Sequence, residues 1–134
     1  MTAWAAPLIG LPFGEGPGQV TCWSLVRRVY ADRLGILLPA YGEVSATDLV
    51  RIARAMRDGS GAADGWRAVD RPAEFDVVLM RGPQGGRAVV HVGVMAGAAR
   101  VLHVEAASHA VLVPLAHWSL RDRILGYRRH ACRS

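Results

Sequence analysis

The sequence contains no asparagine and no lysine, and its 134 residues include only two cysteines, Cys22 and Cys132. Two cysteines are too few for the disulfide framework of a small stapled scaffold, although a single Cys22–Cys132 bridge stays open at this level. The absence of Asn excludes a Cys-His-Asn catalytic arrangement. Since all 16 Lys-or-Arg positions are Arg, amid abundant Ala and Gly, the basic balance reads first as a coding bias toward GC-rich codons. The arginines are scattered, so the net charge of +5 does not form the concentrated basic footprint that nucleic-acid binding requires. No run approaches the ~20 apolar residues of a membrane span. Met1-Thr2-Ala3-Trp4-Ala5-Ala6 lacks the charged start and apolar core of a secretory signal, so the expectation is a protein made in the cytoplasm without its own export address.

What is present is the composition of a folded domain: 51% apolar and 20% charged residues, which argues against disorder. The length suits one domain spanning residues 1–134, and no linker, repeat or low-complexity tract divides it. Glycines 14, 16 and 18 with Pro17 make a regular element improbable there and predict a loop that delivers the chain to Cys22. From Cys22, Leu25, Val26, Val29, Tyr30 and Leu34 recur at helical spacing with Arg27, Arg28, Asp32 and Arg33 on the other face, and Gly35 supplies the stop. A second helix is predicted from Ser45 as N-cap through Leu49, Ile52, Ala53 and Met56. The second half changes period. Runs at 76–81, 88–95, 100–105, 110–115 and 124–129 are short, mostly Val-rich and separated by turn residues, and they predict an antiparallel meander. Helices first and strands after give an α+β domain with helices packed on one side of the sheet.

Cys22 falls at a helix N-terminus, where unpaired N–H groups and the positive dipole end favour thiolate over thiol. That setting makes it a candidate nucleophile with a thiol expected to titrate below the ~8.5 of free cysteine. A nucleophile needs a base, and His91 stands inside Val89-Val90-His91-Val92-Gly93-Val94, among β-branched residues where an imidazole is otherwise a poor choice. Val101-Leu102-His103-Val104 repeats the arrangement. If the hairpin pairs Met95 with Ala99, His91 and His103 sit directly opposite on one face, and His103 can fix the His91 tautomer. Cys22, His91 and His103 lack the paired close spacing of structural zinc ligands, so no metal is assigned. His109, His117 and His130 fall in loop-like or terminal positions and carry no role.

These residues carry a resemblance. Ile9-Gly10-Leu11-Pro12-Phe13, Cys22-Trp23-Ser24-Leu25-Val26-Arg27, Leu34-Gly35-Ile36, Asp76-Val77-Val78-Leu79, His91-Val92-Gly93-Val94, Leu102-His103 and Ile124-Leu125-Gly126-Tyr127-Arg128 resemble, in order and approximate spacing, the landmarks of the NlpC-type cell-wall peptidases. The nearest branch is encoded with phage and phage-like tail genes and is similar in length and in its Cys-Trp and Leu-Gly-Tyr segments. Four departures stand out: Thr21 where the family usually has Asp, Ser24 where it has Gly, Phe75 where Gly commonly precedes the Asp-Val-Val run, and Phe13 in place of a substrate-side Tyr.

The resemblance implies a papain-like α+β domain with Cys22 as nucleophile, His91 as base and His103 as the orienting residue. It implies no cofactor, a peptidoglycan stem or cross-bridge peptide as substrate, and hydrolysis through a thioester. Gln19 is a candidate second oxyanion donor beside the Cys22 N–H, and Thr21 and Phe13 are candidate substrate contacts. By the same likeness the chain is expected to partner tail hub or tip proteins and to reach the wall inside an assembled particle, with no nucleic acid and no membrane span. A catalytically idle structural tail-tip protein and a thiol acyltransferase are the alternatives.

Overall fold

The computed structural model describes residues 3–38, 66–83, 85–86, 89 and 91–131. The expected second helix from Ser45 and the residue Cys132 lie outside the described residues. The chain opens with a 3₁₀ helix, Ala3–Leu8, then runs through the glycine loop to α1, Cys22–Val29. Six strands follow: β1 (Trp66–Val69), β2 (Val77–Met80), β3 (His91–Ala96), β4 (Arg100–His103), β5 (Val111–Pro114) and β6 (Ile124–His130). They form one antiparallel sheet in the order β1-β6-β2-β3-β4-β5. The meander holds from β2 to β5. β6 then returns to pair with β2, and β1 adds outside it.

The start of α1 is fixed by a reciprocal capping box. The Ser24 N–H donates to Thr21 Oγ1 at 3.2 Å and the Thr21 N–H donates to Ser24 Oγ at 2.7 Å, so two donors that a helix start would leave unpaired are satisfied together. Thr21 and Ser24 are two of the departures from the family pattern, and here they are partners in one motif. At the other end the helix continues as a π-helical turn, Tyr30–Leu34, and stops at Gly35, whose φ of +67° is the left-handed conformation glycine favours at a helix end.

The sheet is buried on both faces, which explains why β2 and β3 read as near-continuous apolar runs. One face packs Val77, Leu79, Val92, Val94, Ala96 and Leu102 against Leu25, Val26 and Val29 of α1. The other packs Val78, Met80, Met95 and Val101 around Leu120, a residue of the β5–β6 connection. The expectation of cover on one side only is thereby extended: a loop plugs the second face. β1 was not anticipated, because Trp-Arg-Ala-Val is too short to establish a period. Its anchor is Trp66, buried and ringed by Tyr30 and His130 at centroid distances of 5.7 and 5.0 Å.

Phe75 takes a φ of +73° where a glycine would be unstrained. It is held there by its N–H donating to the Met95 carbonyl at 2.9 Å and by its ring lying on Trp4 at 5.1 Å. The next residue, Asp76, is 1% exposed and accepts two hydrogen bonds from Arg129, at 2.9 and 2.8 Å, plus one from the Ala73 N–H at 2.7 Å. This fork ties the entry of β2 to β6. Removing one partner of a buried pair strands the other charge, a loss of about 3–5 kcal/mol. Arg129→Met is therefore expected to lower the urea-unfolding free energy by about 3 kcal/mol, with Asp76→Asn added to it recovering part of the loss. An unchanged urea midpoint in Arg129→Met would contradict this account.

Candidate functional site

β3 alternates: Val92, Val94 and Ala96 join the core beneath α1, whereas His91, Gly93 and Met95 turn to the other face. β4 does the same, with Leu102 and Val104 toward the helix and Val101, His103 and Glu105 away from it. His91 and His103 are therefore on one face of neighbouring strands. Their rings lie 5.0 Å apart, and His91 Nε2 and His103 Nδ1 share a hydrogen bond of 2.8 Å. Both are buried, at 7% and 5% exposure.

The register that achieves this differs from the expected one. Met95 pairs with Val101 and Ala96 with Arg100, across a turn of Gly97, Ala98 and Ala99. Ala96 stays in the strand because it is buried in the core beneath α1, and Gly97, at φ +79°, takes the turn. A two-residue shift keeps each side chain on its face, so the histidines become diagonal neighbours and not directly opposite ones. Gly93 makes room for the pair. A Cβ there would lie 2.6 Å from Val101 Cγ2 and 3.1 Å from the His103 Cβ.

Cys22 is the first residue of α1, a free thiol, 4% exposed. Its sulfur meets the backbone N–H of Val92, the residue after His91, together with those of Trp23 and Cys22 itself. The segment before it is stitched to the stretch after His103. The Phe13 N–H donates to the Ser108 carbonyl at 2.9 Å, Gly10 N–H to Ala110 at 2.8 Å and Ala110 N–H to Leu11 at 2.8 Å. Phe13 packs against the main core, and Thr21 is the buried N-cap of α1. Gln19 is exposed and folds its side chain over its own loop, where its Oε1 accepts the Gly16 N–H at 2.9 Å.

Two charged residues absent from the sequence reading complete the cluster. Glu105 lies two positions beyond His103 on the same face, a spacing that could have marked it. It is bonded to Arg123 from the β5–β6 connection, whose Nε also donates to the Arg81 carbonyl at 3.0 Å. One ligand-type atom from each of His91, His103 and Glu105 lies within 4.8 Å of the others, the one such group of three among the described residues. These three are the residues that could hold a metal ion. The Arg123 guanidinium on Glu105 places positive charge against that use. A cavity of about 580 Å³ opens on this face, bordered by His103, Glu105, Ser108, His109, Trp118 and Arg123; Cys22 and His91 do not border it.

Burial decides the protonation of the site. It pushes the Cys22 thiol up to about 11, and the three N–H groups lower it only in part. The same effect, aided by each ring's neighbours, pushes His91 well below the ordinary histidine range, and burial lowers His103 as well. The resting pair is a neutral thiol and a neutral imidazole, which corrects the expectation of a thiolate: loss of water outweighs the helix N-terminus. Alkylation of Cys22 by iodoacetamide is therefore expected to rise about tenfold per pH unit from pH 7 to 10 without levelling off, since the thiolate fraction rises tenfold per unit below the pKa. Site-resolved mass spectrometry reads the rates, and a plateau below pH 8 would show a preformed thiolate.

A sequence model of the NlpC/P60 family matches residues 11–129. No curated protein matches the chain. Among solved structures, an NlpC/P60 family protein from Bacillus cereus ATCC 10987 superposes with a TM-score of 0.65 at 21% identity, over 95% of this chain and 38% of that one. A protein described as similar to lipoprotein, NLP/P60 family, from Staphylococcus aureus subsp. aureus Mu50 superposes with a TM-score of 0.61 at 22% identity, over 94% of this chain and 38% of that one. The chain thus spans well under half the length of either protein, and the likeness is one of fold. With the family model running from the segment before Cys22 to the end of the last strand, the chain belongs to the NlpC/P60 family.

Proposed function

We propose that this chain is a cysteine peptidase that hydrolyses peptide bonds in the stem or cross-bridge peptides of peptidoglycan, with Cys22 as nucleophile, His91 as base and His103 as orienting residue. The observation that carries the reading is the junction of α1 and β3: the Cys22 sulfur meets the N–H of Val92, the residue that follows His91 in the chain, and His91 Nε2 is tied to His103 at 2.8 Å. That bond leaves His91 Nδ1 for the thiol. In the forward step His91 Nδ1 takes the Cys22 proton as the sulfur bonds to the carbonyl carbon. The tetrahedral oxyanion is met by N–H groups at the start of α1, donors of a kind worth about 3–4 kcal/mol where one is removed. Collapse breaks the C–N bond, and the leaving amine takes the proton from His91. Water then attacks the thioester and gives a proton to His91; the C–S bond breaks, the sulfur takes that proton from His91, and the carboxylic acid is released. Because both partners rest neutral, proton transfer accompanies attack and does not precede it.

A catalytically idle tail-tip role for the same fold is the second reading, favoured by the 4% exposure of Cys22 and by its lying outside the cavity border. Incubation with purified peptidoglycan and mass analysis of released fragments separates the two. Cys22→Ala is expected to abolish release, His91→Ala to reduce it by about 10²–10⁴-fold, and His103→Ala to reduce it less. Release that is equal in wild type and Cys22→Ala would overturn the peptidase reading.

The particle setting rests on the likeness in length and in the Cys-Trp and Leu-Gly-Tyr segments to tail-associated members. Among the described residues no helix is long and apolar enough to cross a membrane. Immunoblotting of purified particles is expected to recover the chain with tail components, and its presence only in the free fraction would contradict the proposal.

A further inference from the structure

We infer that Glu105, held by Arg123, is a positioning residue that selects the tautomer of His103 and through it leaves His91 Nδ1 unprotonated as the base. This rests on the peptidase reading for its consequence, though not for its structure. The two rings form one chain of nitrogens. His91 can take a proton at Nδ1 only if its hydrogen sits on Nε2, and Nε2 is bonded to His103 Nδ1 at 2.8 Å. His103 Nδ1 must then be the acceptor, which places the His103 hydrogen on its own Nε2. Nothing in two neutral imidazoles prefers this order, since the reversed pair makes the same bond and blocks the base. An anion beside His103 breaks the tie. The Glu105 carboxylate lies within 4.8 Å of a ring nitrogen of each histidine, close enough to act by its field.

Glu105 is kept an anion and kept in place. The Arg123 guanidinium bonds it directly, and Arg123 is itself pinned to the β2 end, Nε to the Arg81 carbonyl at 3.0 Å and Arg81 N–H to the Arg123 carbonyl at 2.9 Å. Its carboxyl is accordingly held below the usual range despite partial burial, by the hydrogen bond and charge of Arg123. The carboxylate in turn raises both histidines, opposing burial. It raises the Cys22 thiol too, as the last-ranked of that group's influences. Arg123 opposes it at both rings, so within this ion pair it is the carboxylate that favours the imidazolium formed when His91 takes the thiol proton. The charged and titratable groups around the pair are Cys22 from α1, Glu105 after β4, Arg123 from the β5–β6 connection, and His109 and Asp122 on the cavity wall.

The test is the ¹⁵N spectrum of the histidine side chains in the full chain at pH 7.5, with kinetics alongside. In wild type, His103 is expected as the Nε2–H tautomer and His91 likewise; finding His103 protonated at Nδ1 overturns the inference without any variant. Glu105→Gln is expected to mix the tautomers, to lower kcat on a peptidoglycan peptide by about tenfold to a hundredfold with KM little changed, and to move the acid limb of kcat/KM to lower pH. That limb falls because the histidines lose a carboxylate that raised them; the loss stays within the ~10²–10⁴-fold worth of a positioned base. Glu105→Asp is expected to restore part of both. A Glu105→Gln protein with wild-type tautomers and an unmoved acid limb also overturns the inference. If Cys22-dependent hydrolysis is absent while the tautomers are as stated, it is the peptidase reading that fails and the positioning role of Glu105 that stands.

Discussion

The N-terminus of α1 meets β3 at one peptide, the N–H of Val92 against the sulfur of Cys22, and the geometry of the site depends on that meeting. β3 is buried on both faces, so its side chains alternate between the core beneath α1 and the polar cluster on the other side. The thiol on the helix therefore meets β3 through backbone, at the residue that follows His91. His91 is the first residue of β3 and Cys22 the first of α1. The two ends are brought together by the packing of Leu25, Val26 and Val29 on Val92 and Val94, each such side chain contributing roughly 1.5–3 kcal/mol of burial.

Two features hold that junction to a fixed position. The capping box of Thr21 and Ser24 settles which residue starts the helix, and a shift of one residue would turn Cys22 by ~100° away from the strand. On the sheet side, the hairpin at Gly97 and the open space at Gly93 fix how β4 lies on β3, and with it the approach of His103 to His91. Both decide where Cys22 and the two histidines lie.

The same burial that builds the site sets its chemistry. Desolvation holds both Cys22 and His91 neutral, raising one and lowering the other, so these two form no ion pair with each other. Glu105 and Arg123 supply charge from the rim, where Glu105 is partly exposed and its field raises both histidines. The site is in this sense a dry thiol and imidazole with a counter-ion at the partly exposed rim.

Much of this was determined by the sequence alone. Apolar residues at helical spacing after Cys22, a stop at Gly35, and Val-rich runs holding His91 and His103 specify a helix start, two strands and the polar residues on them, because local periodicity and turn chemistry are properties of adjacent residues. The face shared by the histidines was legible too, since any even shift of register preserves it. The rest needed the tertiary structure. The pairing of Met95 with Val101 follows from which alanine is buried under α1, the bond from Arg123 to Glu105 joins residues 18 apart in sequence, and β1 is anchored by Trp66 packing on Tyr30. The resting state of Cys22 was decided by tertiary structure as well. A helix N-terminus can be read from sequence, but the water excluded around the sulfur depends on every element packed over it, and that exclusion sets the direction of the shift.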